Sequence, residues 1–169
     1  TVRPFLSDGV FERFGLQIQE QQALGYRNHV DQVQIFSMTL AQAESEGPFD
    51  TLSVRITAQA RDHDVSLIDG RRIPGTDRTE PFVEIWSFLR RRGARTQTSK
   101  PGLIEGNCPN CGAPIAMNQS ANCQHCKTHL RSGQHDWVLA EITQESAWRA
   151  TRGPTPPGVK DTRDRDPNF

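Results

Sequence analysis

The sequence has no excess of either charge, a single tyrosine, two methionines, and no cysteine outside one stretch of nineteen positions. Twenty basic side chains balance twenty acidic ones, so no global positive field draws in nucleic acid or an anionic membrane. No run approaches the roughly 18 apolar residues of a membrane span, and no signal peptide is visible. Hydrophobic residues make up 34% of the 169. That is low for a compact domain, and it predicts that part of the chain is poorly packed or disordered. The length suits one domain, or one domain with a small appendage. The chain begins at Thr1 rather than Met and starts mid-pattern, as a fragment or processed product would.

What is present begins with those cysteines. Cys108-Pro109-Asn110-Cys111-Gly112 and Cys123-Gln124-His125-Cys126-Lys127 form two CxxC knuckles, with eleven residues between the pairs. That is a little short of the roughly 15–20 usual for such fingers. Two disulfides in an oxidising compartment are the alternative, but paired knuckles favour reduced thiolates on one zinc ion. Zinc takes four thiolates in a tetrahedron. Gly112 suits the tight backbone position after a knuckle, and Pro109 stiffens the first one. His125 and His129 lie nearby and are expected to face solvent. Four thiolates close the coordination sphere and leave no metal-bound water to activate. The site therefore reads as structural, and metal binding would supply the folding free energy of a segment too short to bury its own core.

Ahead of the cysteines, Ser7 and Asp8 supply N-cap chemistry for a helix over 7–25, with Gly25 as its stop. Phe11, Phe14 and Ile18 predict its buried stripe. Val2, Phe5 and Leu6 read as the tail of an earlier helix or its connection, broken by Pro4. Val30 to Ala43 reads as a strand of imperfect alternation, ended by a Gly47-Pro48 turn. Leu52, Val54, Ile56, Ala58 and Ala60 alternate with Ser53, Arg55, Thr57, Gln59 and Arg61, which predicts one buried and one wet face. Val65, Leu67 and Ile68 continue the extended run. Asp69-Gly70 and Pro74-Gly75 mark turns. Phe82 to Leu89 is apolar on both faces, which predicts a central strand. Trp137 to Ile142 reads as one more short strand. These elements predict an α+β fold, a helix on one face of an antiparallel meander.

Asp62, His63 and Asp64 form the most suggestive polar cluster. Asp62 and Asp64 fall on the face of Ile56 and Ala58, where a carboxylate at the mouth of an apolar pocket could act as a general base. The bland reading, in which both meet water as the strand leaves the core, is preferred. No GxSxG, P-loop, HExxH or dinucleotide fingerprint occurs. Arg90, Arg91, Arg92, Arg95 and Lys100 form a basic run that reads as a solvated connection, with phosphate contact as the alternative. Trp86, Trp137 and Trp148 read as packing residues, and aromatic–basic interleaving for nucleic acid is missing.

Two stretches, Phe5-Leu6-Ser7-Asp8 with Phe11-Glu12-Arg13-Phe14 and Glu80-Pro81-Phe82-Val83-Glu84-Ile85-Trp86-Ser87-Phe88-Leu89-Arg90, resemble the Tim-forty-four-like domain of the mitochondrial import-motor tether and its bacterial relatives. The segment Cys-Pro-Asn-Cys-Gly-Ala-Pro followed by Asp136-Trp137-Val138-Leu139 is similar to a bacterial subgroup of zinc-ribbon transport proteins. The resemblance covers roughly residues 1–145. It implies the cone-shaped α+β fold of nuclear-transport-factor-two-like proteins, a curved sheet around helices that leaves an apolar pocket. It also implies a further long helix ahead of the Thr1 position. Mitochondrial members contact the inner membrane, including anionic lipid, and hold a heat-shock chaperone at the translocation channel. The chaperone-binding regions lie outside the matched stretch, and the resemblance carries over no catalytic residue.

Together these readings predict an α+β domain over 1–100, a zinc ribbon and closing strand over 101–147, and a disordered tail over 148–169. Zinc would be held by Cys108, Cys111, Cys123 and Cys126. The ribbon is expected to pack on the sheet through Trp137 and Leu139. The expected function is a non-enzymatic, membrane-associated binding or scaffolding module, possible in transport, whose sheet domain meets lipid or a protein partner. It would be bacterial, face the cytoplasm, and reach the membrane through a segment not present in this chain. Two alternatives stand beside it: a pocket enzyme of dehydratase or isomerase type using Asp62, His63 and Asp64, and a nucleic-acid-binding ribbon using Arg90 to Arg92.

Overall fold

The computed structural model describes residues 5–95, 101–103, 105–115 and 121–150. They form one helix, α1 (Asp8–Ala23), and four strands, β1 (Tyr26–Glu46), β2 (Phe49–Ser66), β3 (Arg78–Arg91) and β4 (Val138–Gln144). The strands make one antiparallel sheet in the order β1-β2-β3-β4. The fold is α+β, as expected. Residues 96–100, 116–120 and most of the expected tail lie outside the described residues.

Ser7 caps α1 in an extended conformation, and its side chain accepts the Val10 N–H. Asp8 adds an acidic group to the first turn, where it complements the helix dipole. At the other end, Gly25 N–H closes on the Gln22 carbonyl, so the expected helix and its stop both form. The expected buried stripe does not. Val10 is buried and Phe11 half-buried, but Phe14 and Ile18 are 38% and 51% exposed. The physical reason is that the apolar cluster holds α1 by its first turns, while the last turn meets β1 through a polar contact, the Asn28 N–H on the Gln21 side chain. Leu6, Val10 and Leu139 form a buried cluster against Phe11, Trp86, Phe88 and Ile142, and the rest of the helix runs past that contact.

Phe5 ends a 3-10 turn and Leu6 begins the connection to α1, while Val2 and Pro4 lie outside the described residues. Leu6 makes a parallel bridge to Leu139, and Ser7 N–H bonds the Leu139 carbonyl at 2.9 Å. Strand β1 is longer than its sequence signal. Its imperfect alternation corresponds to three register shifts, after Asp31, Ile35 and Leu40. Bulges of this kind bend a strand and increase its twist, and they break the period of two that a sequence reading relies on. The β1–β2 hairpin turns at Gly47-Pro48, as expected.

Strand β2 buries Ile56, Ala58 and Ala60 as its alternation predicts. Ser53 departs from the pattern. It is buried rather than wet, with its hydroxyl 2.9 Å from that of Ser87 on β3. Leu67 and Ile68 also depart, because β2 ends at Ser66 and both residues lie in the following turn. Ile68 is 94% exposed. Strand β3 is internal to the sheet, as its two apolar faces require, with Ile85 buried on one side and Trp86 and Phe88 packed on the other. Strand β4 pairs with β3 and carries the chain back from the cysteine segment. Among the described residues no helix is long and apolar enough to cross a membrane.

Candidate functional site

The cysteine segment lies between β3 and β4, and its two knuckles fold alike. In the first, Cys108 N–H bonds the Ala113 carbonyl and Gly112 N–H bonds the Cys108 carbonyl, both at 2.8 Å. In the second, Cys123 N–H bonds Thr128 and Lys127 N–H bonds Cys123, both at 2.9 Å. The residue after each second cysteine is left-handed, Gly112 at φ 77° and Lys127 at φ 62°. Gly112 takes that conformation freely, whereas Lys127 takes it against the clash of its own Cβ.

These turns aim four sulfurs at one point. Cys108 Sγ and Cys126 Sγ are 3.7 Å apart, Cys111 Sγ and Cys123 Sγ 3.8 Å, and the four ligand atoms all lie within 4.8 Å of one another. A disulfide needs about 2.0 Å between sulfurs, so the cysteines are free thiols. A tetrahedron with metal–sulfur bonds of about 2.3 Å has edges of about 3.8 Å. The observed spacings fit that figure, and the cluster is compatible with one metal ion. Burial pushes the Cys108 thiol up to about 12. The Thr128 backbone N–H, and then the Asn110 side-chain amide, pull Cys126 down to about 6. Left to themselves, the four sulfurs would not ionise together. A divalent cation at their centre would supply the charge that lets them do so.

The ribbon is anchored on both the sheet and the helix. Leu103, Cys108, Cys123 and Leu130 form its buried cluster, with Phe5 packed against it. Arg131 Nη2 lies 2.7 Å from Asp8 Oδ1, and its guanidinium sits 5.0 Å from the centre of the Phe11 ring. His129 Nε2 is 3.4 Å from Asp8 Oδ2. His125 is exposed as expected, but His129 is half-buried against the helix. Arg91 N–H bonds the Gly133 carbonyl at 2.7 Å. A Cβ at Gly133 would come within 2.7 Å of Leu89 Cδ1. The expected packing through Trp137 and Leu139 is present, with Arg90 4.3 Å over the Trp137 ring and Leu139 in the helix–sheet cluster. Sequence reasoning missed the Asp8–Arg131 and Phe5 contacts. An acid in the first helical turn was legible, but its partner 123 positions later was not.

A second feature lies on the sheet. Side chains of β1, β2 and β3 line an open cavity of about 540 Å³. Val30, Val33, Ala60, Phe82 and Trp86 supply its apolar walls, and Asp62, Arg78, Glu80 and Glu84 its charges. The Asp62, His63 and Asp64 cluster is divided by strand alternation. Asp62 is exposed on the cavity side, and the Asn28 side-chain amide donates to both Asp62 and Asp64. His63 is 4% exposed on the opposite face, where its ring stacks on His29 at 5.5 Å between centroids. The three therefore share no single site. Nor is the whole basic run a solvated connection. Arg90 and Arg91 belong to β3, Arg90 covers Trp137, and Arg92 Nε lies 3.8 Å from Asp50. Lys100 lies outside the described residues.

A family model described as the Tim44-like domain matches residues 1–101. The match takes in α1 and the first three strands and stops short of the cysteines. No curated protein matches the chain, and no solved structure matches it.

Proposed function

Since the chain belongs to the Tim44-like family, we propose that it is a non-enzymatic binding or scaffolding module that works at a membrane. The open cavity on the sheet carries this reading. An apolar recess of about 540 Å³ on a rigid sheet is of the size that proteins use to seat a ligand or a partner's side chains. The division of Asp62 and Asp64 from His63 favours binding over catalysis. Bacterial origin, a cytoplasm-facing position and a part in transport are further elements of the proposal, drawn from the family resemblance. Membrane attachment would come through a segment outside this sequence.

The metal in this proposal is zinc, held by Cys108, Cys111, Cys123 and Cys126. Its part is structural, since four thiolates leave no open coordination position. The ribbon then acts as a brace that fixes the start of α1 against β3 and β4. Fractionation of cells producing the full-length protein tests the membrane reading. The protein is expected in the membrane pellet and released by detergent. Recovery entirely in the soluble fraction would overturn it.

A further inference from the structure

We propose that the cavity on the sheet binds an extended stretch of polypeptide whose every second side chain, those of one strand face, is in turn lysine or arginine and bulky apolar. The inference rests on the binding-module reading above and names the partner's chemistry. The first observation is electrostatic. The carboxylates of Asp62, Glu80 and Glu84 face one guanidinium, that of Arg78, so the rim carries a net two negative charges. Among the described residues the ion pairs lie elsewhere. Glu84 accepts the Trp86 indole N–H and the Gln144 side-chain amide, both at 2.9 Å. Asp62 accepts from the Asn28 amide. These donors are neutral, so they fix the carboxylates in place without cancelling their charge.

The second observation is spacing. Glu80, Phe82, Glu84 and Trp86 are alternate residues of β3 and line the same cavity. Alternate residues of a strand lie about 6.6–6.8 Å apart. The cavity floor is thus a row of acid, aromatic, acid, aromatic. An extended peptide repeats its own alternate side chains at that same distance. Its lysines or arginines would stand over Glu80 and Glu84, and its apolar side chains over Phe82 and Trp86. Val30 and Val33, 56% and 58% exposed on β1, wall the far side. Cations are also attracted to the face of an indole. An anionic lipid headgroup would instead bring like charge to a rim that is already negative, a juxtaposition that costs binding energy.

The test is calorimetric titration of the purified protein with a short synthetic peptide that carries lysine and leucine in turn at every second position, with serine at the positions between. A second peptide of equal length has glutamate in place of each lysine. The lysine peptide is expected to bind, with affinity falling as salt rises, and the glutamate peptide is expected not to. Asp62→Asn together with Glu80→Gln takes the rim from two negative charges to none. Both positions are exposed, so thermal melting should not change. Binding of the lysine peptide should weaken about tenfold or more. Equal binding of both peptides, no binding of the lysine peptide, or unchanged affinity in the double variant would overturn the proposal. Binding of peptide-free protein to phosphatidylglycerol vesicles that is lost when Phe82→Ser is introduced would assign the cavity to lipid and overturn it too. Fractionation reads the membrane question separately. Peptide binding by a protein found only in the soluble fraction removes the membrane reading and leaves this one standing. A membrane-bound protein that ignores the peptide does the reverse.

Discussion

Lys127 has a φ of 62° at a position where the equivalent residue of the other knuckle is Gly112, at φ 77°. The left-handed region costs a residue with a Cβ about 1–2 kcal/mol. Gly112→Ala should therefore destabilise the metal-loaded protein by about 1–2 kcal/mol, while Lys127→Gly should leave it as stable or more so. Equilibrium denaturation of both variants checks the pair. Asp77 gives a pH dependence at the same scale. Its hydrogen bond from Arg61 holds its carboxyl below the ordinary 3.8. A folded-state value below the unfolded one contributes stability that is present above the unfolded value and is lost as pH falls through the folded one. Asp77→Asn should lower stability slightly at neutral pH, remove that part of the acid-side loss, and match the unaltered protein once the carboxyl is protonated well below about pH 4. Melting temperature measured against pH reads this out.

At the scale of elements, α1 depends on the ribbon. The Arg131 side chain is 9% exposed, whereas Asp8 is 47% exposed. Removing the carboxylate strands a buried guanidinium. Removing the guanidinium leaves a carboxylate that water and the helix N-terminus still satisfy. Asp8→Ala should therefore cost about 2–3 kcal/mol, and Arg131→Met clearly less. Equal losses in thermal or denaturant unfolding would contradict this asymmetry. The same elements show what sequence can and cannot reveal. The α1 cap at Ser7, the Gly47-Pro48 turn and the internal position of β3 follow from local chemistry and were legible. The exposure of Phe14 and Ile18 was not, because it depends on which turns of the helix dock rather than on helical period. Leu67 and Ile68 read as strand because apolar side chains look the same in an exposed turn. Ser53 read as wet because its partner Ser87 comes from another strand.

For the whole molecule, the cysteine knuckles and the sheet are two cooperating parts. The knuckles were legible because ligand spacing is local. Their docking was not, since Phe5, Asp8 and Arg131 meet only after the chain has passed through three strands. Docking changes what metal removal should do. Chelation is expected to melt residues 106–115 and 121–130, and also to loosen 5–11 at the start of α1, while amide exchange in β2 and β3 stays slow. Binding worth about 10–16 kcal/mol in isolated fingers is ample for that effect. Unchanged protection of the ribbon would speak against a structural metal. The proposed zinc site is open to one direct measurement: metal content and zinc-edge X-ray absorption of the purified protein. One zinc per chain with four sulfurs at about 2.3 Å is the expected result. A protein without stoichiometric metal, or with its cysteines joined as disulfides, would contradict it.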